Sequence, residues 1–240
     1  MADAASIRRR VDAALARRRP GEAGMVATLD SLCAVACQQL PLTGAAITLV
    51  PSVGSHTVAA ASSATTRELE EAQFGVGEGP TRDAFTSRRP VLVADLTLAG
   101  LPRWPGWAPV AVRAGAAAAY ALPLHVGASI FGVLTLYAGS RPLDPEGLRT
   151  ALVLADIATD ILLDGRAADG GSTLPPDLGD ILGGHAHVYQ AQGMVMVALG
   201  VGLAEALVRM RAHAWATGQD LGALATEIVS GRQMPTADPG

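Results

Sequence analysis

The chain has 240 residues, of which 50% are apolar and 17% charged. That length accommodates one large or two modest domains, and that composition excludes global disorder. A net charge of -4 argues against a general nucleic-acid coat but leaves room for one local RNA site. Residues 1–19 pattern as an amphipathic helix, with Ile7, Val11, Ala14 and Leu15 on one face and two Arg triplets around it. Pro20 and Gly21 end it. Two roles are open for this helix: a solvated element packed along a partner, or a basic arm on RNA phosphates. With no apolar stretch between its charges it is not a signal peptide, and the longest apolar run, 114–124, is too short for a bilayer. A cytoplasmic protein is expected.

Met25, Leu29, Leu32, Cys33, Ala36, Cys37 and Leu40 mark a buried helix. Its two cysteines, the only ones in the chain, lie one helical turn apart. Free thiols are expected, since a disulfide at that spacing has poor geometry and no further Cys or His completes a metal site. Alternation over 44–50 and 56–61, across Pro51, Ser52, Gly54 and Ser55, predicts a β-hairpin. Helices over 65–74 and 83–87 flank the run Gly75-Val-Gly-Glu78-Gly-Pro80. That run lacks the spacing and the preceding strand of a dinucleotide fingerprint, so it is assigned to turn geometry, with Pro80 opening the next helix. Strands follow at 90–94, 117–124 and 130–137, and a long helix over 144–163 carries Leu148, Leu152, Ala155, Ile157, Ile161 and Leu162.

In the words GVGEGP, RRPVLVADL and ALPLHVGASIFGVLTLY, and in its order of elements, the segment 25–165 resembles the GAF domain. The resemblance implies a sensor of α+β fold, an antiparallel sheet with flanking helices, preceded by the helix of 1–24. One side of that sheet holds, in various relatives, cyclic nucleotides, haem, tetrapyrroles or nothing, so the cofactor is left open as a small-molecule GAF ligand. Phe74, Phe85, Trp104, Trp107 and Tyr120 are the candidate pocket residues. For the two Trp of Leu101-Pro-Arg-Trp-Pro-Gly-Trp107 the alternative is a hydrophobic plug that anchors a long loop. No nucleophile, base and orienting acid fall into a recognisable arrangement, so no catalytic or metal residue is assigned and an enzyme is not expected.

After a linker over 166–178, rich in Gly, Ser and Pro, residues 179–232 read as three short helices. Val188, Ala191, Val195 and Leu199 stripe the first, which Gly200 and Gly202 end. Leu203, Ala206, Leu207, Met210 and Ala214 stripe the second, and Asp220 caps a third with Leu221, Leu224, Ala225, Ile228 and Val229. A flexible tail, 233–240, follows. The wording Gln-Ala-Gln-Gly-Met, Glu-Ala-x-x-x-Met-Arg-x-x-Ala and Leu-x-x-x-Ala resembles the ANTAR domain of bacterial transcription antiterminators, a small all-α fold. Fitting positions are Gln190, Ala191 and Gly193, then Glu205, Ala206, Arg211 and Ala214, then Leu221, Ala225 and Val229.

That resemblance implies a homodimeric module that binds paired RNA hairpins in nascent transcripts, in the context of RNA polymerase, through Gln190, Ala191, Gln192, Gly193, Arg211 and Ala214. Gln192 stands where many members carry Lys, so a neutral amide replaces a phosphate-pairing cation. Arg209, Arg211 and Arg232 face Glu205, Asp220, Glu227 and Asp238 in the same segment, which is not a basic surface. The expected function is a signal-responsive antiterminator in which a GAF sensor controls an ANTAR module. The alternative is a degenerate ANTAR protein that acts through protein contacts.

Overall fold

The computed structural model of the protein describes residues 3–18, 24–50, 56–127, 129–168 and 185–234. Expectations for the break at Pro20 and Gly21, the turn at 51–55, the part of the 166–178 linker beyond residue 168 and the tail from 235 lie outside them; residues 166–168, expected as linker, continue a long helix. Helices α1 (Ala4–Arg18) and α2 (Met25–Gln39) lead into strands β1 (Leu42–Leu49) and β2 (Thr57–Ala61). Helices α3 (Ala64–Val76) and α4 (Pro80–Ser87) precede β3 (Val91–Val93), and β4 (Ala118–Val126) and β5 (Ser129–Ala138) close the sheet. Its order is β2-β1-β5-β4-β3, and every neighbouring pair is antiparallel.

Period-two alternation gives the sheet two different faces. Ala45, Ile47, Leu122, Leu124, Leu134 and Leu136 point to one side, where α1, α2 and the long α7 (Pro145–Ala168) cover them. The apolar stripe of α1, read from the sequence as available to a partner, is spent inside this layer. Ile7, Val11 and Ala14 are buried there, and Arg8 pairs with Asp160 of α7. The basic residues Arg9, Arg10 and Arg17 lie on the exposed side of α1.

Ala46, Thr48, Ala119, Ala121, Val133, Thr135 and Tyr137 point to the opposite side. There α3, α4 and a long connection lie on the sheet. The connection, expected as plain loop, is broken into a π-type turn at Leu96–Gly100, one turn α5 (Leu101–Arg103) and α6 (Ala108–Arg113). Proline at the start of α5 and of α6 sets the backbone of each without sacrificing a needed donor.

The C-terminal helices are α8 (Ala186–Leu199), α9 (Leu203–Thr217) and α10 (Leu221–Val229). Gly200 and Gly218 end the first two in left-handed conformation, and Asp220 caps α10 by accepting from the N–H groups of Gly222 and Ala223. The axes of α8 and α9 meet at 103°. Their own core gathers Val188, Ala191, Val195, Met210, Leu224 and Ile228. No single helix among the described residues is long and apolar enough to cross a membrane.

Two leucines two residues apart on α7 separate core from surface. Leu154 is fully buried and Leu152 is 50% exposed. Leu154→Ala is expected to cost about 2–5 kcal/mol of unfolding free energy and Leu152→Ala under about 0.5 kcal/mol, measured by urea titration.

Candidate functional site

The sheet face under α3 and α4 holds a polar cluster of the chain's own side chains. Glu70 of α3 is completely buried there. Its carboxylate accepts from the Thr48 hydroxyl at 2.9 Å, the Thr81 hydroxyl at 2.8 Å, the Gln73 amide at 3.1 Å and the Tyr137 hydroxyl. Because the proton of Thr81 is used on Glu70, Thr135 must be the donor in its 2.7 Å contact with Thr81. Gln73 reaches the other way, its Oε1 accepting from the Thr81 N–H at 2.9 Å. Burial pushes the Glu70 carboxyl up, while the hydroxyls of Tyr137, Thr81 and Thr48 pull it back down. Burial and the neighbouring carboxylate raise the Tyr137 phenol well above its ordinary range.

Glycine and alanine make room for this cluster. Ala46, Ala119 and Ala121 are the small neighbours of Thr135 and Tyr137 across the ladders. A Cβ on Gly79 would lie 2.2 Å from Gln73 Oε1, and its φ of +138° is open only to glycine. The glycine run therefore serves turn geometry, as its spacing implied. Glu78 within it accepts from the N–H groups of Gly106 and Trp107 and so ties down the start of α6.

The two Trp are a plug. Trp104 and Trp107 are 1% and 0% exposed and pack edge to face at 5.6 Å. Trp107 Nε1 donates to the Leu69 carbonyl at 3.0 Å, and Trp104 Nε1 to Asp83 at 3.2 Å. The expectation that Phe74, Phe85, Trp104, Trp107 and Tyr120 line one pocket is corrected, because they fall into three separate cores. Phe85 packs partly buried beside the Trp pair, Tyr120 lies on the opposite sheet face with its hydroxyl accepting from the Leu143 N–H, and Phe74 has left the sensor's core altogether. Cys33 and Cys37 are free, and burial raises both thiols, so neither is a ready nucleophile at neutral pH.

Phe74, at 4% exposure, is inserted in the core of the C-terminal helices. Around it the last turn of α3 meets α8 and α9. Arg211 donates from Nε to the Phe74 carbonyl at 3.0 Å and lies over its ring, satisfying one of the open carbonyls at the negative end of α3. His185 Nε2 lies 2.9 Å from Glu71, and its ring is 4.5 Å from that of Phe74. Tyr189 accepts from the His56 N–H at 3.0 Å. The ring nitrogen Nε2 of His56 is buried here without a partner.

Of the six positions implied to touch RNA, Ala191 and Ala214 are core and Gln192 is buried, its amide donating to the Leu203 carbonyl at 2.7 Å. In this arrangement all three lie within the packing of the unit. Gln190 and Gly193 remain on the outward side of α8, with open space where a Gly193 side chain would stand. Arg211 faces the sensor. Sequence reasoning missed Glu70, Gln73, Thr81 and Tyr137. Their signal was polar residues at positions where α3 and the strands must be buried.

The family model of the GAF domain matches residues 22–162. The chain belongs to the GAF family. No curated protein matches it. Among solved structures it is similar to the GAF domain of a phosphoenolpyruvate-protein phosphotransferase from Coxiella burnetii, at 16% identity and TM-score 0.50, covering 70% of this chain and 96% of that one. The GAF domain of an Acinetobacter phosphoenolpyruvate-protein phosphotransferase gives 12%, TM-score 0.51, and 71% and 99% coverage. Free methionine-R-sulfoxide reductase from Neisseria meningitidis, in complex with its substrate, gives 19%, TM-score 0.51, and 70% and 95%. At such identities the shared property is the GAF fold, which these proteins use for different purposes.

Glu70→Gln turns one of the accepting oxygens into a donor that faces other donors. It is expected to cost about 1–3 kcal/mol in urea unfolding at pH 7; a variant as stable as the wild type would mean that Glu70 is held as its neutral acid. His56 supplies a pH signature. Burial, helped by His185 and Arg211 and opposed by Glu71, lowers its pKa from 6.5 to about 4. Between those values the unfolded chain binds the extra proton, so the contribution is fully present above pH 6.5 and is lost as pH falls toward 4. His56→Phe is expected to remove about 2 kcal/mol of the stability lost between pH 7 and pH 5, read from urea titrations at both pH values.

Proposed function

We propose that the protein is a signal-responsive RNA-binding regulator, in which the GAF sensor controls a C-terminal ANTAR-type unit that binds paired hairpins in nascent RNA as a homodimer. What supports this reading is the arrangement of residues 186–229. Ala191, Ala206, Ala214, Leu221 and Ala225, positions of the ANTAR resemblance, are the small and apolar residues that close the three-helix core. The same packing leaves Gln190 exposed and the backbone at Gly193 open on the outward side of α8. An amide with donor and acceptor beside a bare stretch of helix suits base edges and sugar hydroxyls of an RNA loop.

A second reading, protein contact without RNA, is favoured by one observation: Val197, Leu203, Val208 and Trp215 are each more than half exposed on α8 and α9. Gel-shift titration against a synthetic RNA with two adjacent stem-loops separates the two. Gln190→Ala is expected to weaken binding about tenfold, the scale of a lost base contact, with unchanged melting because the side chain is exposed. Equal binding by wild type and Gln190→Ala, or none by either, would leave the protein-contact reading.

A further inference from the structure

Helix α3 serves two neighbours at once. Residues 70 and 73 share one side of it and project Glu70 and Gln73 into the buried cluster on the sheet. Residues 71 and 74, each one step of about 100° further round, project Glu71 and Phe74 into the C-terminal helices. No flexible segment separates the two sets of contacts. A displacement of α3 that breaks the Glu70 hydrogen bonds must also move the Phe74 carbonyl and ring.

We propose that the last turn of α3 is an intramolecular docking site for the C-terminal unit that withholds Arg211 from RNA, and that a change in the Glu70 cluster releases it. The proposal rests on the RNA-binding reading only for what Arg211 is withheld from. Arg211 is the one cation among the positions of the ANTAR resemblance, and its Nε–H is spent on the Phe74 carbonyl. Its side chain also lies against Gly77, where a Cβ would come within 3.1 Å of the guanidinium; only a glycine, at φ +78°, lets the two approach. Docking is built to be reversible. Arg82 of α4 opposes the charge of Arg211, Glu71 is partly solvated in its contact with His185, and one aromatic ring is the only large apolar anchor that α3 sends across. A contact of this size holds a unit in place and yields to a modest competing free energy.

The test uses the full chain and two variants, Phe74→Ala and Glu71→Ala, the second removing a partly exposed carboxylate and so leaving folding intact. Amide hydrogen exchange and titration of the two-stem-loop RNA are measured on each. The expected result is exchange about tenfold faster over residues 204–217 in both variants, unchanged exchange in β1 and β5, and RNA bound about tenfold more tightly, within the range of ordinary coupling. Unchanged exchange over 204–217 in Glu71→Ala overturns the docking. Faster exchange with RNA bound equally or more weakly overturns the withholding of Arg211. If no chain, Arg211→Ala included, binds the RNA while exchange still accelerates, the RNA reading fails and the docking stands.

Discussion

A carboxylate buried on the face of a β-sheet constrains most of this structure. Leaving Glu70 without partners would cost several kcal/mol, so the fold supplies donors from four different elements: Thr48 on β1, Gln73 on α3 itself, Thr81 on α4 and Tyr137 on β5. Each donor fixes the element that carries it. Thr81 fixes α4 against the sheet, Gln73 fixes the turn between α3 and α4, and glycine at position 79 is the consequence of the space that Gln73 takes. Glu78, thereby placed, receives the N–H groups that start α6. The Trp plug closes over the result, anchored to the Leu69 carbonyl one residue from Glu70.

This organisation sets what kind of sensor the domain is. Here the sheet face under α3 and α4 carries hydrogen-bonded side chains. Such a cluster has discrete states, because a carboxylate with four donors and one with three differ by the desolvation of a charged oxygen. Discreteness is what a transmitted signal needs, since packed interiors shift between arrangements and do not deform smoothly.

How far the sequence revealed this varies with range. Periodicity exposed α2, α7 and the three C-terminal helices to within a few residues, because amphipathic stripes such as Leu29, Leu32, Cys33 and Ala36 are local. Strand alternation gave β1, β4 and β5 for the same reason. The words of the chain pointed to the GAF family, which the match over residues 22–162 bears out. What failed was assignment of aromatic residues to a common pocket. Phe74, Phe85 and Tyr120 are alike in composition, and nothing local tells which of three cores a ring enters. On α3 the decision between Gln73 and Phe74 is one step of rotation, and the partners that decide it, Tyr137 and Arg211, lie 64 and 137 residues away. The burial of Gln192 was illegible for the same reason: its partner, the Leu203 carbonyl, is brought to it only because α8 and α9 fold across each other.

The distribution of charge completes the argument for coupling. Residues 185–234 carry Arg209, Arg211 and Arg232 against Glu205, Asp220 and Glu227, so their net charge is close to zero. Arg209 is paired with Glu205 on its own helix at 2.9 Å, and Arg211 is held by the sensor. An RNA-binding surface built on phosphate contacts would need several free cations at once, each contributing through counterion release. On the RNA-binding reading proposed above, a unit with so few cations would recognise RNA through shape and loop bases. On that reading, the hydrogen bond from Arg211 to the Phe74 carbonyl ties one of the three arginines of residues 185–234 to helix α3.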